Sequence, residues 1–457
     1  MSSEYSTDTI TALSTPMGSG ALSVIRISGS GAFAAVLPHF RSSKGEIPTL
    51  ERFRKHKRLT GLISDEERII DEVVLSLFFA PHSYTGEDVV EISCHCNPFI
   101  VREIIRLLLK RVRLAKPGEF TQRAFFNNRM DLTRAEAVGD LLNARTELSH
   151  RAALSQLEGN LYRKIAGILE ELTSYRIELE LEIDFVEQDL SELDVKKLRS
   201  KLEELAEKLQ KLLQSGKEGM IIRDGLKVCL TGSPNVGKSS LFNHLLATDR
   251  AIVTPVPGTT RDYLEESLSL NGYLVRLYDT AGLRSAGEEV ERIGISRTHD
   301  LLQQAARVIY IEDGEEKKEE YLLNNFLQND ERVIRILNKA DILSQEKIDE
   351  YKERGFLICS VKTGEGIERL KEEVTGNLDL GKEAIDSGIL SNMRQVEAVE
   401  RSLKGIDNAL VSLDKELGYE FTAFDLKVAS EALEEVIGKI TTDDILNRIF
   451  SEFCIGK

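Results

Sequence analysis

Gly232-Ser233-Pro234-Asn235-Val236-Gly237-Lys238-Ser239 follows the pattern G-x-x-x-x-G-K-S. The apolar run at 227–231 before it reads as a strand and the run at 240–246 after it as a helix, the context in which this pattern cradles phosphate. Glycines let the backbone wrap close to phosphate oxygens, while N–H groups and the helix N-terminus supply positive potential. In that chemistry Lys238 reaches the β- and γ-phosphates and the Ser239 hydroxyl ligates Mg²⁺, with Asn235, Val236 and Ser240 among the nucleotide contacts. Asp279-Thr280-Ala281-Gly282 ends a second strand, where an acid can hold Mg²⁺ through water and a glycine amide can sense the γ-phosphate. Gly258-Thr259-Thr260-Arg261-Asp262 lies where a switch loop belongs, with Thr260 as the hydroxyl for Mg²⁺.

Asn338-Lys339-Ala340-Asp341 follows a further apolar strand and resembles the N-K-x-D element of GTP-binding proteins. The Asp341 carboxylate can accept from guanine N1 and N2, a donor pair that adenine lacks. Ser360-Val361-Lys362 resembles the last base-contacting loop. Together these elements imply a GTP hydrolase. Leu283 stands where a water-orienting glutamine would follow, and an apolar side chain cannot polarise water, so another group must do so.

These motifs need strands and helices to carry them. Strand-like runs at 227–231, 274–278, 308–311 and 333–338 alternate with helical stretches, which predicts a parallel sheet covered on both faces. On either side, 134–214 and 389–449 are leucine-rich, charged and helical in spacing; the stretch 190–213 is expected to stop at Ser215-Gly216. The first section reads as mixed α and β, with short strands at 9–12 and 21–27 around the turn Met17-Gly18-Ser19-Gly20. Further strands are expected at 73–79 and 89–93, and a helix over 98–113 with Ile100, Ile104, Leu107 and Leu108 on one face. The simplest plan is a nucleotide domain inserted into a helical domain built from both sides of it.

At 457 residues, two or three domains are expected. Hydrophobic and charged shares of 41% and 30% describe a soluble globular chain with no membrane span, and the N-terminus lacks the pattern of a signal peptide, so a cytoplasmic location is expected. A net charge of −16 excludes nucleic-acid binding over the whole surface but leaves room for a local basic site. The basic clusters Arg52, Arg54, Lys55, Lys57, Arg58 and Lys110, Arg111, Arg113, Lys116 are weak candidates, since such runs are usually solvated surface. Five cysteines make no disulfide framework. Cys94-His95-Cys96 fits no common zinc spacing and reads as packed thiols.

Outside the nucleotide motifs, several stretches are specific. Asp8-Thr9-Ile10, Arg26-Ile27-Ser28-Gly29, Ser83-Tyr84-Thr85-Gly86-Glu87-Asp88-Val89, Lys116-Pro117-Gly118-Glu119-Phe120-Thr121-Gln122-Arg123-Ala124-Phe125, Asp131-Leu132-Thr133-Arg134-Ala135-Glu136-Ala137 and the terminal Cys454-Ile455-Gly456-Lys457 resemble the MnmE (TrmE) family of tRNA-modification GTPases, over essentially the whole chain. The resemblance implies a multidomain α/β + α fold: an α+β N-terminal folate-binding and dimerisation domain (1–120), a discontinuous helical domain (121–216 and 381–457) and an inserted Ras-like P-loop α/β G domain (217–380). It implies a homodimer that works with an FAD-dependent MnmG-type partner, in a heterotetramer or larger complex. The pair would place an aminomethyl or carboxymethylaminomethyl group at C5 of the wobble uridine, position 34, of certain tRNAs. The implied cofactors are GTP, Mg²⁺, K⁺ and 5-formyltetrahydrofolate or a related tetrahydrofolate.

The resemblance also assigns residues. Potassium ligands fall on Asn235, Thr254, Val256 and Thr259, where a cation beside the β- and γ-phosphates would stabilise developing charge as the G domains meet. The water-orienting acid falls on Glu291. Folate contacts fall on Arg26, Glu91, Arg129 and Lys457, a carboxylate for the pterin donors and cations for the glutamate tail. Two departures stand out: Arg129 where lysine is more usual, and Cys94-His95-Cys96-Asn97 where glycines would follow the histidine. Cys454 reads either as a buried small hydrophobe or as a group in the modification chemistry. An alternative function, an Era- or EngA-like ribosome-assembly GTPase, would share the G motifs but end in a KH-type RNA module; this chain ends in leucine-rich helices and C-x-G-K.

Overall fold

The computed structural model describes residues 8–457 except 19, 43, 52–53, 55–56, 185–193, 251–264, 280–300, 315–329, 377 and 379. The chain divides into two compact units, Met1–Gly139 with Glu434–Lys457, and Asp140–Leu433.

The first unit is built on strands β1 (Ile10–Leu13), β2 (Leu22–Ser28), β3 (Phe40–Ser42), β4 (Arg58–Asp65), β5 (Arg68–Phe78), β6 (Val89–His95) and β7 (Arg113–Leu114), with helices α1 (Ala32–Val36), α2 (Pro98–Leu108) and α3 (Glu119–Phe126). They form one sheet in the order β3-β4-β5-β6-β2-β1-β7. Its pairings are antiparallel except β1 with β7. Alternation in β5 and β6 puts Val73, Leu75, Leu77, Val90, Ile92 and Cys94 on the buried face. Against it α2 turns Val101, Ile104, Leu107 and Leu108 inward; Pro98 opens that helix and the Asn97 side chain caps it, accepting from Phe99 N at 2.8 Å. Helix α4 (Leu132–Asn143) begins here, with Leu132 and Ala135 buried.

The second unit has helices α5 (Glu147–Leu157), α6 (Asn160–Asp184) and α7 (Val195–Asp224), then an α/β section and a return to helices. The buried leucines of α7 (Leu198, Leu202, Leu205, Leu209, Leu212) repeat every three or four residues, the expected apolar seam. The α/β section runs β8 (Leu226–Gly232), α8 (Lys238–Asp249), β9 (Glu265–Leu270), β10 (Tyr273–Asp279), β11 (Arg307–Glu312), β12 (Val333–Leu337), α9 (Gln345–Glu353), β13 (Leu357–Ile358) and α10 (Ile367–Thr375). Its sheet order is β13-β12-β11-β8-β10-β9, parallel except β9 against β10. Strand β8 lies inside this sheet and is almost continuously apolar, as a strand covered on both faces must be. Helices α11 (Lys382–Asp386), α12 (Met393–Asp414) and α13 (Tyr419–Ile437) follow. The helices before and after the α/β section meet: Gly216 of α7 lies against Leu390 and Val396, and Gly219 against Leu390.

That contact corrects the expected stop at Ser215-Gly216. Helix α7 runs on to Asp224 and ends at Gly225, whose φ is 86°. A Cβ at Gly219 would stand 1.9 Å from the Leu390 carbonyl oxygen, so α7 uses glycine for close approach within the helix. Two strands of this sheet, β9 and β13, were not expected. The hairpin between β9 and β10 turns on Asn271-Gly272, with φ of 50° and 84°, the pair that a two-residue turn of primed type favours.

The chain closes back in the first unit with α14 (Asp443–Ser451) and the terminal C-x-G-K. Leu446 and Phe450 pack with Leu132 and Ala135. No helix among the described residues is long and apolar enough to cross a membrane.

Candidate functional site: a phosphate and guanine cradle, and a cationic cluster at the chain end

Parallel strands bring their carboxyl ends to one edge, where α/β sheets bind ligands. Strand β8 delivers the glycine-rich loop, β10 delivers Asp279, β12 delivers Asn338 and β13 leads into Ser360. Gly232 has φ 141°, and a Cβ there would stand 2.3 Å from the Ile311 carbonyl oxygen. Gly237 has φ 102°, and a Cβ there would stand 2.2 Å from Asn338 Nδ2. Asn235 has φ 65°, the left-handed region that asparagine tolerates. Lys238 is buried, its ammonium donating to the carbonyls of Gly232 and Ser233, both at 2.7 Å. The lysine thereby spans the loop it belongs to. Ser239 and Ser240 are exposed in the first turn of α8, so the Ser239 hydroxyl can meet a cation from solvent. The donor set and the cradle fit a Mg²⁺–nucleotide.

Asn338 joins the phosphate loop to the base loops. Its Nδ2 donates to the Val236 carbonyl at 2.8 Å, and its Oδ1 accepts from Val361 N at 3.2 Å. Ser360 Oγ donates to Asp341 Oδ1 at 2.7 Å, and Lys362 Nζ lies 3.8 Å from Asp341 Oδ2. These contacts fix the orientation of the Asp341 carboxylate beside the loop that carries Ser360. Lys339 has φ 62° and donates at 2.7 Å to Asp313, a buried acid just after β11. Thr254, Val256, Thr259, Thr260, Thr280, Ala281, Gly282, Leu283 and Glu291 lie outside the described residues, as do Arg52 and Lys55.

In the first unit a second polar cluster forms where the chain end meets the sheet. Arg26 on β2 pairs with Glu91 on β6, its neighbour in register; Nε donates to Oε1 at 3.0 Å. The guanidinium lies 5.2 Å from the Tyr84 ring centre and 5.6 Å from that of Phe120, close enough for cation–π attraction. Lys457 is anchored by its backbone, whose oxygen accepts from Phe120 N at 3.2 Å. Gly456 has φ 98°, and a Cβ there would stand 2.4 Å from the Leu13 carbonyl oxygen. Burial holds the Lys457 ammonium below its ordinary pKa, and Arg26 adds to this while Glu91 and Cys454 oppose it. Arg26, Glu91, Cys454 and Lys457 are thus one electrostatic group. Arg129 donates from Nε to the Ser83 carbonyl at 3.1 Å, on the loop that carries Tyr84. Cys454 is exposed, against the buried-hydrophobe reading.

Beneath this cluster Arg113 and Arg123 share Glu119, at 2.6 and 3.0 Å, and both reach Asp8. Burial alone would raise the Glu119 pKa, yet Arg113, the Lys116 N–H and Arg123 outweigh it and hold the carboxyl low. Lys110 likewise pairs with Asp65 at 2.9 Å, and Arg111 donates to the Ala34 carbonyl. Lys110 and Arg111 make these contacts at the surface and, like Lys116, stay exposed. Cys94 is buried, its thiol pushed up to about 11 by burial and then by Asp71. The same Asp71 accepts from His95 N and sits 2.8 Å from its Nδ1.

A model of the MnmE helical domain matches residues 132–454, and one of the GTP-binding protein TrmE N-terminus matches 9–129. The tRNA modification GTPase MnmE of Clostridioides difficile is 38% identical over 98% of this chain and 99% of its own. The chain belongs to the MnmE family. The MnmE of Syntrophus aciditrophicus is 41% identical, over 98% of this chain and 99% of its own length. Among solved structures, the G domain of the T. maritima FeoB iron transporter is 33% identical over 33% of this chain and 96% of that one, at a TM-score of 0.25. For an MnmE-family GTPase the informative additions are Asp313, which holds Lys339, and Tyr84 and Phe120, which flank Arg26. The sequence signal for Asp313 was its place directly after an apolar strand. For the two aromatics it lay inside the family motifs, where they carried no assigned role.

Proposed function

We propose that this MnmE-family GTPase uses GTP hydrolysis in one unit to drive one-carbon chemistry in the other, modifying C5 of wobble uridine 34 in certain tRNAs. The reading takes 1–120 as a folate and dimerisation domain, 121–216 with 381–457 as the helical domain and 217–380 as the G domain. The protein works as a cytoplasmic homodimer with an FAD-dependent MnmG-type partner and tRNA.

The observation that carries the nucleotide reading is Asn338, which ties the Val236 carbonyl to Val361 N and so sets the phosphate loop at a fixed place relative to Asp341. Bound Mg²⁺ and K⁺ supply positive charge to the phosphates. Ser239 and Thr260 are the proposed Mg²⁺ ligands, and Asn235, Thr254, Val256 and Thr259 those of K⁺; Glu291 orients the attacking water. In the first unit, Glu91 offers a carboxylate to pterin donors while Arg26, Arg129 and Lys457 offer cations to a carboxylate tail. A tetrahydrofolate bound there supplies the one-carbon unit. The exposed Cys454 stands in the same group and is proposed to take part in the modification chemistry.

Steady-state GTP turnover in K⁺ against Na⁺ tests the hydrolysis half. The reading expects fast turnover in K⁺ only, rising with protein concentration as G domains pair. Equal rates in both salts would remove the potassium mechanism and leave the GTPase standing.

A further inference from the structure

The second unit contains a polar cavity of about 230 Å³, none of whose lining residues belongs to the phosphate or guanine loops. Its walls come from α4, α5, α7 and β10. Three arginines, Arg145, Arg223 and Arg276, line it together with Asp140 and Asp224. Arg223 is committed to Asp140, donating from Nε at 2.6 Å. Arg145 donates from Nη1 to Ser267 Oγ at 3.0 Å, a neutral acceptor that does not balance its charge.

Gln156 supplies an independent sign. It is 1% exposed and lines the same cavity. Its Nε2 donates to the Ile389 carbonyl at 2.9 Å and to Ser391 Oγ at 3.0 Å, which fixes the orientation of the amide. Its Oε1 is buried and accepts no hydrogen bond. A buried acceptor without a donor is costly, and such groups mark places where something else supplies the donor. Guanidinium forks match phosphate oxygens in pairs.

We propose that this cavity binds a small phosphate monoester carrying a free hydroxyl, with the phosphate on the arginines and the hydroxyl donating to Gln156 Oε1. Excess positive charge at Arg145 selects the anion, and the fixed amide selects the hydroxyl. Strand β10 runs from the cavity wall at Leu274 and Arg276 to Asp279, so a ligand here rests on the strand that ends at the nucleotide site.

The test is calorimetric titration of the full chain, saturated throughout with GDP and Mg²⁺, using glycerol 3-phosphate, with glycerol as the neutral control. Because the nucleotide site is filled, failure here leaves the GTPase reading untouched. The expected result is one glycerol 3-phosphate per chain, no glycerol binding, and affinity lowered about tenfold or more in Arg145→Ala. Gln156→Met is expected to weaken the ester as well. Arg145 is only half-buried, so its variant keeps the test sharp if the Gln156 variant does not fold. Absence of binding, or equal binding by Arg145→Ala, would overturn the proposal.

Discussion

At the scale of the residue, side chains here do double work. Asp341, the proposed guanine acceptor, also accepts the Ser360 hydroxyl. Asp341→Asn replaces an acceptor-only group with one that also donates, and should cost GTP affinity about 100-fold while admitting xanthosine triphosphate, whose ring offers oxygen in place of the 2-amino group. Competition of the two nucleotides for the purified variant measures this; unchanged GTP preference would contradict it. Glu291→Ala should keep GTP affinity and lose most hydrolysis, read by single-turnover kinetics; unchanged turnover would remove Glu291 from the mechanism. Lys457 carries a sign that can be checked. Its folded pKa is lowered, so between that value and its ordinary one the unfolded chain binds the extra proton and stability rises with pH. An anion bound beside it reverses the shift, so folate binding at alkaline pH should take up a proton, seen as a dependence of binding heat on buffer ionisation enthalpy. Lys457→Met should abolish that uptake. The motif residues were legible because their chemistry is local to a few positions. The clamp by Asn338 was not, because it joins β12 to the phosphate loop, which are distant in sequence.

At the scale of the element, the strands that carry motifs were readable from their apolar runs, and the helices from their leucine spacing. What sequence could not separate was two uses of glycine. A stop needs a left-handed residue, whereas Gly219 is helical and is there because α7 must approach the Leu390 carbonyl. Gly167 in α6 has open space around its missing Cβ. Gly219→Ala should therefore destabilise the chain by about 1–3 kcal/mol, and Gly167→Ala should stabilise it by about 0.5–1 kcal/mol. Chemical denaturation of both variants checks the contrast; equal effects would mean that the close approach has no energetic weight. The hairpin at Asn271-Gly272 was legible in principle, since that pair is the strongest short hairpin signal. Its strand β9 ends on the strand-like alternation Leu268-Ser269-Leu270 but opens on two glutamates, which strands disfavour.

At the scale of the whole molecule, the N-terminal motifs and the terminal C-x-G-K proved to belong to one compact unit, with the Lys457 backbone oxygen accepting from Phe120 N. The resemblance had set the chain end in the helical domain, 381–457, and no local rule links residue 26 to residue 457. The central claim is that this chain spends GTP to modify the wobble uridine of tRNA. The direct measurement is mass spectrometry of wobble uridines from a strain lacking the gene, complemented with wild type, Lys238→Ala or Lys457→Met. The account predicts that C5 modification is lost on deletion and restored by wild type alone. Intact modification in the deletion strain would contradict it.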